Sequence, residues 1–153
     1  MSNIITNIHA LGHIITRQLI EKKKLCDLEY ILEKYIGNDW ISHTEVSNDS
    51  YYKTNVFTNE FIDIFIINWN SNQKSFIHDH PSAGCLMKVL TGSLIENLYQ
   101  NDRLQLIQTN HLNMGNISYR EGSVILHNIE NRTSTPAVSI HIYSPPNYKI
   151  NYY

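Results

Sequence analysis

The chain has 153 residues and a formal net charge of -2 at pH 7, a length that predicts one domain with a single core. Its 12 basic and 14 acidic residues include no basic run, which argues against nucleic-acid binding, and no apolar run reaches the about 18 residues of a membrane span. Two cysteines, Cys26 and Cys85, are too few for a disulfide framework. We therefore expect a soluble, cytoplasmic, monomeric protein that acts on a small molecule.

The N-terminal part of the chain, up to about Gly37, is predicted to form a helical cap. Apolar residues recur there at helical spacing from about residue 5 to residue 35, and the pattern breaks near residues 24–27. Two helices are therefore expected before the chain enters the β region.

The pattern then changes to short β-branched and aromatic runs, separated by turn signals such as Thr91-Gly92 and Glu121-Gly122. Many short strands with regular turns are typical of an antiparallel β-barrel or jelly roll. We expect a mainly β fold with the barrel over about residues 50–146, so that residues 1–153 form one domain. The predicted strands are residues 61–69, 86–90, 94–99, 104–108, 123–126 and 137–143.

A histidine motif lies between the first two predicted strands. His78 and His80 are two residues apart, so on an extended strand both imidazoles point to one face and Asp79 points away. Two imidazoles on the inner wall of a sheet, with a third from another strand, form a socket for a divalent transition metal. His127 is the natural third ligand.

The last predicted strand has one polar and one apolar face. Ser139, His141 and Tyr143 alternate with β-branched residues. The apolar face of a barrel strand normally points inward, so the polar face requires either solvent or a polar interior site. The histidine motif favours the interior site, where the three polar groups could form a hydrogen-bonded relay from Ser139 through His141 to Tyr143.

Two segments carry the most specific signal. Residues 78–94 read HDHPSAGCLMKVLTGSL, and residues 136–146 read PAVSIHIYSPP. The first resembles the metal-binding segment of the type I cysteine dioxygenase family, in the cupin superfamily, and the second resembles the last barrel strand of that family. Trp69 also fits, and the resemblance extends over about residues 51–146.

The resemblance implies a cupin-type barrel that holds one Fe(II) per chain through His78, His80 and His127. Three neutral imidazoles leave the iron its full +2 charge, which favours an anionic thiolate. The implied reaction transfers both oxygen atoms of O2 to the sulfur of a small thiol, with L-cysteine giving cysteine sulfinic acid.

The same resemblance gives roles to residues around the metal. Ser139, His141 and Tyr143 would form the relay beside the iron. Cys85 falls where animal members form a thioether crosslink to the tyrosine matched by Tyr143, whereas many bacterial members have glycine there. Tyr51 would help to bind the substrate.

The chain departs from the family in two places. Lys53 matches the arginine that binds the substrate carboxylate, and lysine keeps the charge but lacks the bidentate fork. Substrate anchoring is then weaker, or the substrate differs. Longer family members also continue beyond the position of Tyr153 with a segment that helps to cover the site, so the closure of the pocket is an open question.

Three alternatives remain at this point. A dioxygenase of another small thiol, such as 3-mercaptopropionate or cysteamine, is supported mainly by Lys53. A non-catalytic metal-binding cupin would use the same histidines, and three histidines also suit zinc.

Overall fold

Two antiparallel sheets and a helical cap make up residues 3–153, the part of the chain that the computed structural model describes. Within this part, no helix is long and apolar enough to cross a membrane. The helices are α1 (Ile8–Ile20) and α2 (Glu29–Glu33), with 3-10 turns at Leu25–Asp27 and Asp39–His43. The strands are β1 (Tyr52–Thr58), β2 (Asp63–Trp69), β3 (Cys85–Thr91), β4 (Ser93–Gln100), β5 (Gln105–Asn113), β6 (Ile117–Arg120), β7 (Ile125–Glu130) and β8 (Ala137–Tyr143).

The eight strands form a five-stranded sheet in the order β1-β2-β8-β3-β6 and a three-stranded sheet in the order β5-β4-β7. Every pair of neighbouring strands is antiparallel. Apolar side chains from both sheets meet in one buried cluster, which includes Trp69, Val89, Leu94 and Ile129. This mainly β architecture with N-terminal helices is the one expected from the sequence.

The helical cap covers the outer face of the five-stranded sheet. Leu11 and Ile15 of α1 and Leu32 of α2 are completely buried in a second cluster, together with Ile64 of β2 and Ile140 of β8. Side chains alternate along a strand, so burying the apolar face of β8 under the helices turns its polar face toward the opposite sheet. The cap thereby provides the barrel with a polar inner wall.

A buried lysine joins the cap to the sheet. The Lys88 ammonium, on β3, donates to the carbonyl oxygens of Leu32 at 3.1 Å, Glu33 at 3.2 Å and Tyr35 at 2.8 Å. The carbonyls at a helix C-terminus have no partners within the helix and attract a cation. Lys88 therefore caps α2 from the sheet below.

The sequence pattern missed two strands, β1 and β6. Both are edge strands of the five-stranded sheet, where one side meets solvent and the apolar alternation is weak. Two predicted strands were also too short. The first, β5, extends to Asn113, and the second, β7, extends to Glu130, which places His127 inside a strand.

Candidate metal centre

His78, His80 and His127 meet between the two sheets, and all three are buried. His127 lies on β7, whereas the other two lie in the extended segment between β2 and β3. That segment is not the regular strand that we expected, because it makes only isolated bridges, one of them between His78 and His127. The expected alternation of side chains nevertheless holds, since Asp79 points away and binds Asn151.

The three imidazoles direct their Nε2 atoms toward one point. These atoms are 2.9 Å apart between His80 and His127, and 3.1 Å apart between His127 and His78. Two nitrogens that each lie about 2.1 Å from one metal ion, at a right angle to each other, would be about 3.0 Å apart. The spacing therefore fits three ligands on one face of a metal ion that has further positions open.

Hydrogen bonds at Nδ1 leave two of these Nε2 atoms without a proton. The Nδ1 atom of His78 lies 2.8 Å from the Phe76 carbonyl oxygen, and that of His127 lies 2.8 Å from a Glu96 carboxylate oxygen. Both oxygens only accept, so Nδ1 carries the proton and Nε2 a lone pair. Burial and the neighbouring His127 lower the pKa of His78 to about 3, and they also lower the pKa of His80. Facing lone pairs repel each other unless a cation lies between them, so these residues fit a divalent metal.

Glu96, on β4, holds His127 in place, a role that was not predicted from the sequence. Its buried carboxylate also accepts hydrogen bonds from Ser118 at 2.8 Å, from Arg120 at 2.9 and 3.1 Å, and from Asn110 at 3.1 Å. Burial alone would raise the pKa of Glu96, but the hydrogen bonds from His127 and Arg120 outweigh it and lower that pKa. The available signal was the one charged residue inside β4.

We expect Glu96→Gln to weaken metal binding by about 10- to 100-fold, because partners that orient a ligating histidine typically contribute this much. The substitution keeps the size of the side chain but removes the charge that faces His127 and Arg120. Competition with a chelator would measure the metal dissociation constant. Glu130→Gln is the matched control, because it removes only the partly exposed pair with Arg132. Equal metal affinities of the wild type and Glu96→Gln would contradict this role.

The inward face of β8 carries a chain of hydrogen bonds. Trp69 Nε1 donates to Ser139 Oγ at 2.9 Å, and Ser139 Oγ lies 2.8 Å from His141 Nε2. His141 Nδ1 then faces Cys85 Sγ at 4.0 Å. The His141 and Tyr143 rings are nearly parallel with centroids 6.2 Å apart, as the spacing of alternate strand residues dictates. The relay thus differs from the expected one, since it leads from His141 to Cys85 rather than to Tyr143.

Cys85 and Tyr143 are register partners on β3 and β8, so their side chains share the inner face. Burial and the Cys85 thiol raise the pKa of Tyr143, and burial raises the pKa of Cys85 to about 12 despite the opposing charge of Lys53. The structure therefore brings these two predicted residues together as a neutral thiol and a neutral phenol.

Lys53 and Tyr51, the two predicted substrate-binding residues, also face the centre of the barrel. The Lys53 ammonium lies 4.0 Å from the centroid of Phe65 and 4.7 Å from that of Tyr143. Burial lowers the pKa of Lys53, although Cys85 and Asp63 act in the opposite direction. Tyr51 stacks on Trp69 at a centroid distance of 4.6 Å.

One small cavity joins these groups. Its volume is about 40 Å³, and Ile150 and Tyr152 from the segment after β8 line it on one side. That segment therefore covers part of the cavity. The other side chains around the cavity include Tyr51, Lys53, His78, His127, His141 and Tyr143.

Comparison with known protein families identifies the family of this chain. A profile of the family described as Cysteine dioxygenase type I matches residues 1–153. The chain belongs to the type I cysteine dioxygenase family. It is 31% identical over 130 residues to cysteine dioxygenase type 1 of Rattus norvegicus, and 32% identical over 135 residues to that of Danio rerio. The matched regions cover 78% of this chain but only 64% and 65% of those relatives.

Solved structures agree on the fold of this family member. A double-stranded beta-helix protein from Klebsiella pneumoniae has a TM-score of 0.63 at 17% identity, covering 73% of this chain and 91% of its own. A cupin domain from Bordetella pertussis has a TM-score of 0.50 at 20% identity, covering 65% and 98%. The expected cupin-type barrel is therefore confirmed.

Proposed function

We propose that this protein is a mononuclear non-haem iron thiol dioxygenase that oxidises L-cysteine with O2 to cysteine sulfinic acid. The observation that carries the proposal is that two of the three converging imidazoles and the Lys53 ammonium line one small cavity. Membership of the type I cysteine dioxygenase family supports it. Cys26 and Cys85 are both free thiols, which agrees with action in the cytoplasm.

Each part of the cavity has a role in this proposal. Fe(II) held by His78, His80 and His127 would supply the centre at which the thiolate and O2 exchange electrons. Lys53 binds the substrate carboxylate. Tyr143, whose pKa burial raises, keeps its proton and donates a hydrogen bond toward the sulfur. Both oxygen atoms pass to the sulfur, and the thiol supplies all the electrons, so no external reductant is needed.

One observation favours a small thiol other than cysteine as the physiological substrate. Lys53 presents a single ammonium, which rests on Phe65 and Tyr143, instead of a planar fork that fits a carboxylate. A substrate such as cysteamine would need no carboxylate partner at all, whereas 3-mercaptopropionate would still use one.

Metal analysis combined with oxygen uptake tests the proposal. The protein, purified and loaded anaerobically with Fe(II), is supplied with cysteine, 3-mercaptopropionate or cysteamine. We expect one O2 consumed per cysteine and a product heavier by two oxygen atoms. A preference for another thiol would identify that thiol, rather than cysteine, as the substrate. If no thiol caused oxygen uptake, the remaining interpretations would be a non-catalytic cupin or a zinc-binding cupin.

We also expect Cys85 and Tyr143 to become covalently joined during turnover. A bond forms between Cys85 Sγ and a ring carbon of Tyr143, the S–H and C–H bonds break, and O2 accepts the two electrons and two protons. The two residues are register partners across β3 and β8, so their side chains lie next to each other on the inner face. Mass spectrometry of the intact chain and its peptides would detect the loss of two hydrogen atoms.

Cys85→Ser is the control for this reaction, since it keeps the size of the side chain but cannot form the thioether. We expect this variant to stay active and to show no lighter species after incubation with iron, cysteine and O2. If the wild type also keeps its full mass after many turnovers, the crosslink does not form.

A further inference from the structure

The small cavity beside the histidines borders a much larger one outside. The outer cavity has a volume of about 990 Å³ and also contacts Phe76 and Lys74. Tyr51, Lys53 and Tyr152 line both cavities, so they form the boundary between the metal centre and the exterior.

Tyr51 and Tyr152 both line the two cavities, so their rings lie together at this boundary, and burial together with the neighbouring Tyr152 phenol raises the pKa of Tyr51. Tyr51 is stacked on the buried Trp69, which holds its ring in place. Tyr152 is 57% exposed and meets Phe76 and His78 only edge-on, at centroid distances of 6.1 and 6.3 Å. Of the two rings, Tyr152 is therefore the one whose removal would open the boundary.

The backbone around Tyr152 is anchored to the histidine motif. Both carboxylate oxygens of Asp79 accept hydrogen bonds from Asn151, one from the backbone at 3.0 Å and one from the side-chain amide at 2.8 Å. Asp79 N donates in return to the Asn151 carbonyl at 3.2 Å, and Tyr153 N donates to Ile77 at 3.0 Å. These contacts hold the Tyr152 ring at the boundary independently of its own side-chain contacts.

The inner cavity is small for a substrate. A cavity needs about 10–15 Å³ to hold one water molecule, so 40 Å³ has room for about three. Free cysteine alone would take up all of this space. Lys53 lines both cavities, so a carboxylate that it binds lies beside their boundary, and a group attached to that carboxylate that extends into the outer cavity meets the Tyr152 ring.

We propose that Tyr152 is a specificity-determining residue that restricts the site to thiols of the size of free cysteine and excludes cysteine extended at its carboxylate. This inference rests on the proposed function, because it concerns which thiols reach the same site. Under this proposal, a residue outside the barrel strands takes part in selecting the substrate together with Lys53.

The test compares cysteine with the dipeptide cysteinylglycine, which keeps the thiol and the amine but extends the carboxylate. We expect Tyr152→Ala to raise the ratio of kcat/KM for cysteinylglycine to kcat/KM for cysteine by about tenfold or more. Tyr152→Phe should keep the wild-type ratio, since the ring is the obstacle. Tyr153→Ala is the matched control, because it removes the adjacent tyrosine ring, which lines neither cavity.

A binding measurement separates this inference from the proposed function. Anaerobic calorimetry on the Fe(II)-loaded protein gives the affinities for both thiols without turnover. If neither the wild type nor any variant oxidises a thiol, the proposed function fails. The ratio of the affinity for cysteinylglycine to the affinity for cysteine, compared between Tyr152→Ala and the wild type, still decides the role of Tyr152. The inference would be overturned if Tyr152→Ala kept the wild-type ratio of affinities for the two thiols, or if Tyr153→Ala changed that ratio by the same factor.

Discussion

Replacing His127 with alanine is expected to remove the bound metal and to lower oxygen uptake by at least about 100-fold, and the same result is expected for His78→Ala and His80→Ala. Loss of a partner of a metal ligand already costs about 10- to 100-fold, and loss of the ligand itself costs more. Each substitution leaves two imidazoles where the structure has three converging Nε2 atoms. Elemental analysis and oxygen uptake on the same preparations would measure both effects.

His111→Ala is the matched control for these variants. His111 is an exposed histidine on β5 and does not belong to the three-histidine group. Its replacement should change neither the metal content nor the activity. A variant of His78, His80 or His127 that retained one metal per chain and normal oxygen uptake would show that the metal binds elsewhere.

Lys53→Ala should raise the KM for cysteine by more than about 100-fold and leave the KM for cysteamine almost unchanged. Removing one partner of a desolvated ion pair costs about 3–5 kcal/mol, whereas an exposed pair contributes about 1 kcal/mol or less. Lys53 lies in the cavity and burial lowers its pKa, so the larger figure applies to a bound carboxylate. Cysteamine has no carboxylate and cannot lose this contact. Steady-state oxygen uptake with both thiols gives the two KM values.

Two further variants make the Lys53 experiment specific. Lys74→Ala removes an exposed ammonium that lines only the outer cavity, and it should leave both KM values unchanged. Lys53→Arg introduces the bidentate fork and should lower the KM for cysteine below that of the wild type. Parallel increases for cysteine and cysteamine in Lys53→Ala would mean that the ammonium does not bind the carboxylate.

The pairing of His78 with His80 could be predicted from the sequence because its geometry depends on local spacing. Two histidines two residues apart share a face in any extended segment, and this held for His78 and His80 even though they lie outside a regular strand. Glu96 could not be identified in this way, because its role depends on Arg120 from β6 and His127 from β7, which only the pairing of the sheets brings to β4.

On β8, the sequence by itself determined that Ser139, His141 and Tyr143 share one face, because the alternation of side chains along a strand is a local property of the backbone. Only the tertiary structure decided that this face points inward. The apolar face, represented by Ile140, is buried under α1 and α2, and hydrophobic burial between elements far apart in the chain outweighs the usual preference for an apolar barrel interior.

The cover of the site was likewise decided by the tertiary structure alone. Nothing in the residues around Tyr152 predicts that they return to the histidine motif, because they form no regular strand and carry no motif of their own. Their position is determined by Asn151 and Asp79, which are brought together across the fold and satisfy each other's hydrogen bonds. Local spacing thus determined that His78 and His80 share a face. Long-range packing and hydrogen bonding determined which face of β8 is inward, what brings His127 to the other two histidines and orients it, and what covers the site.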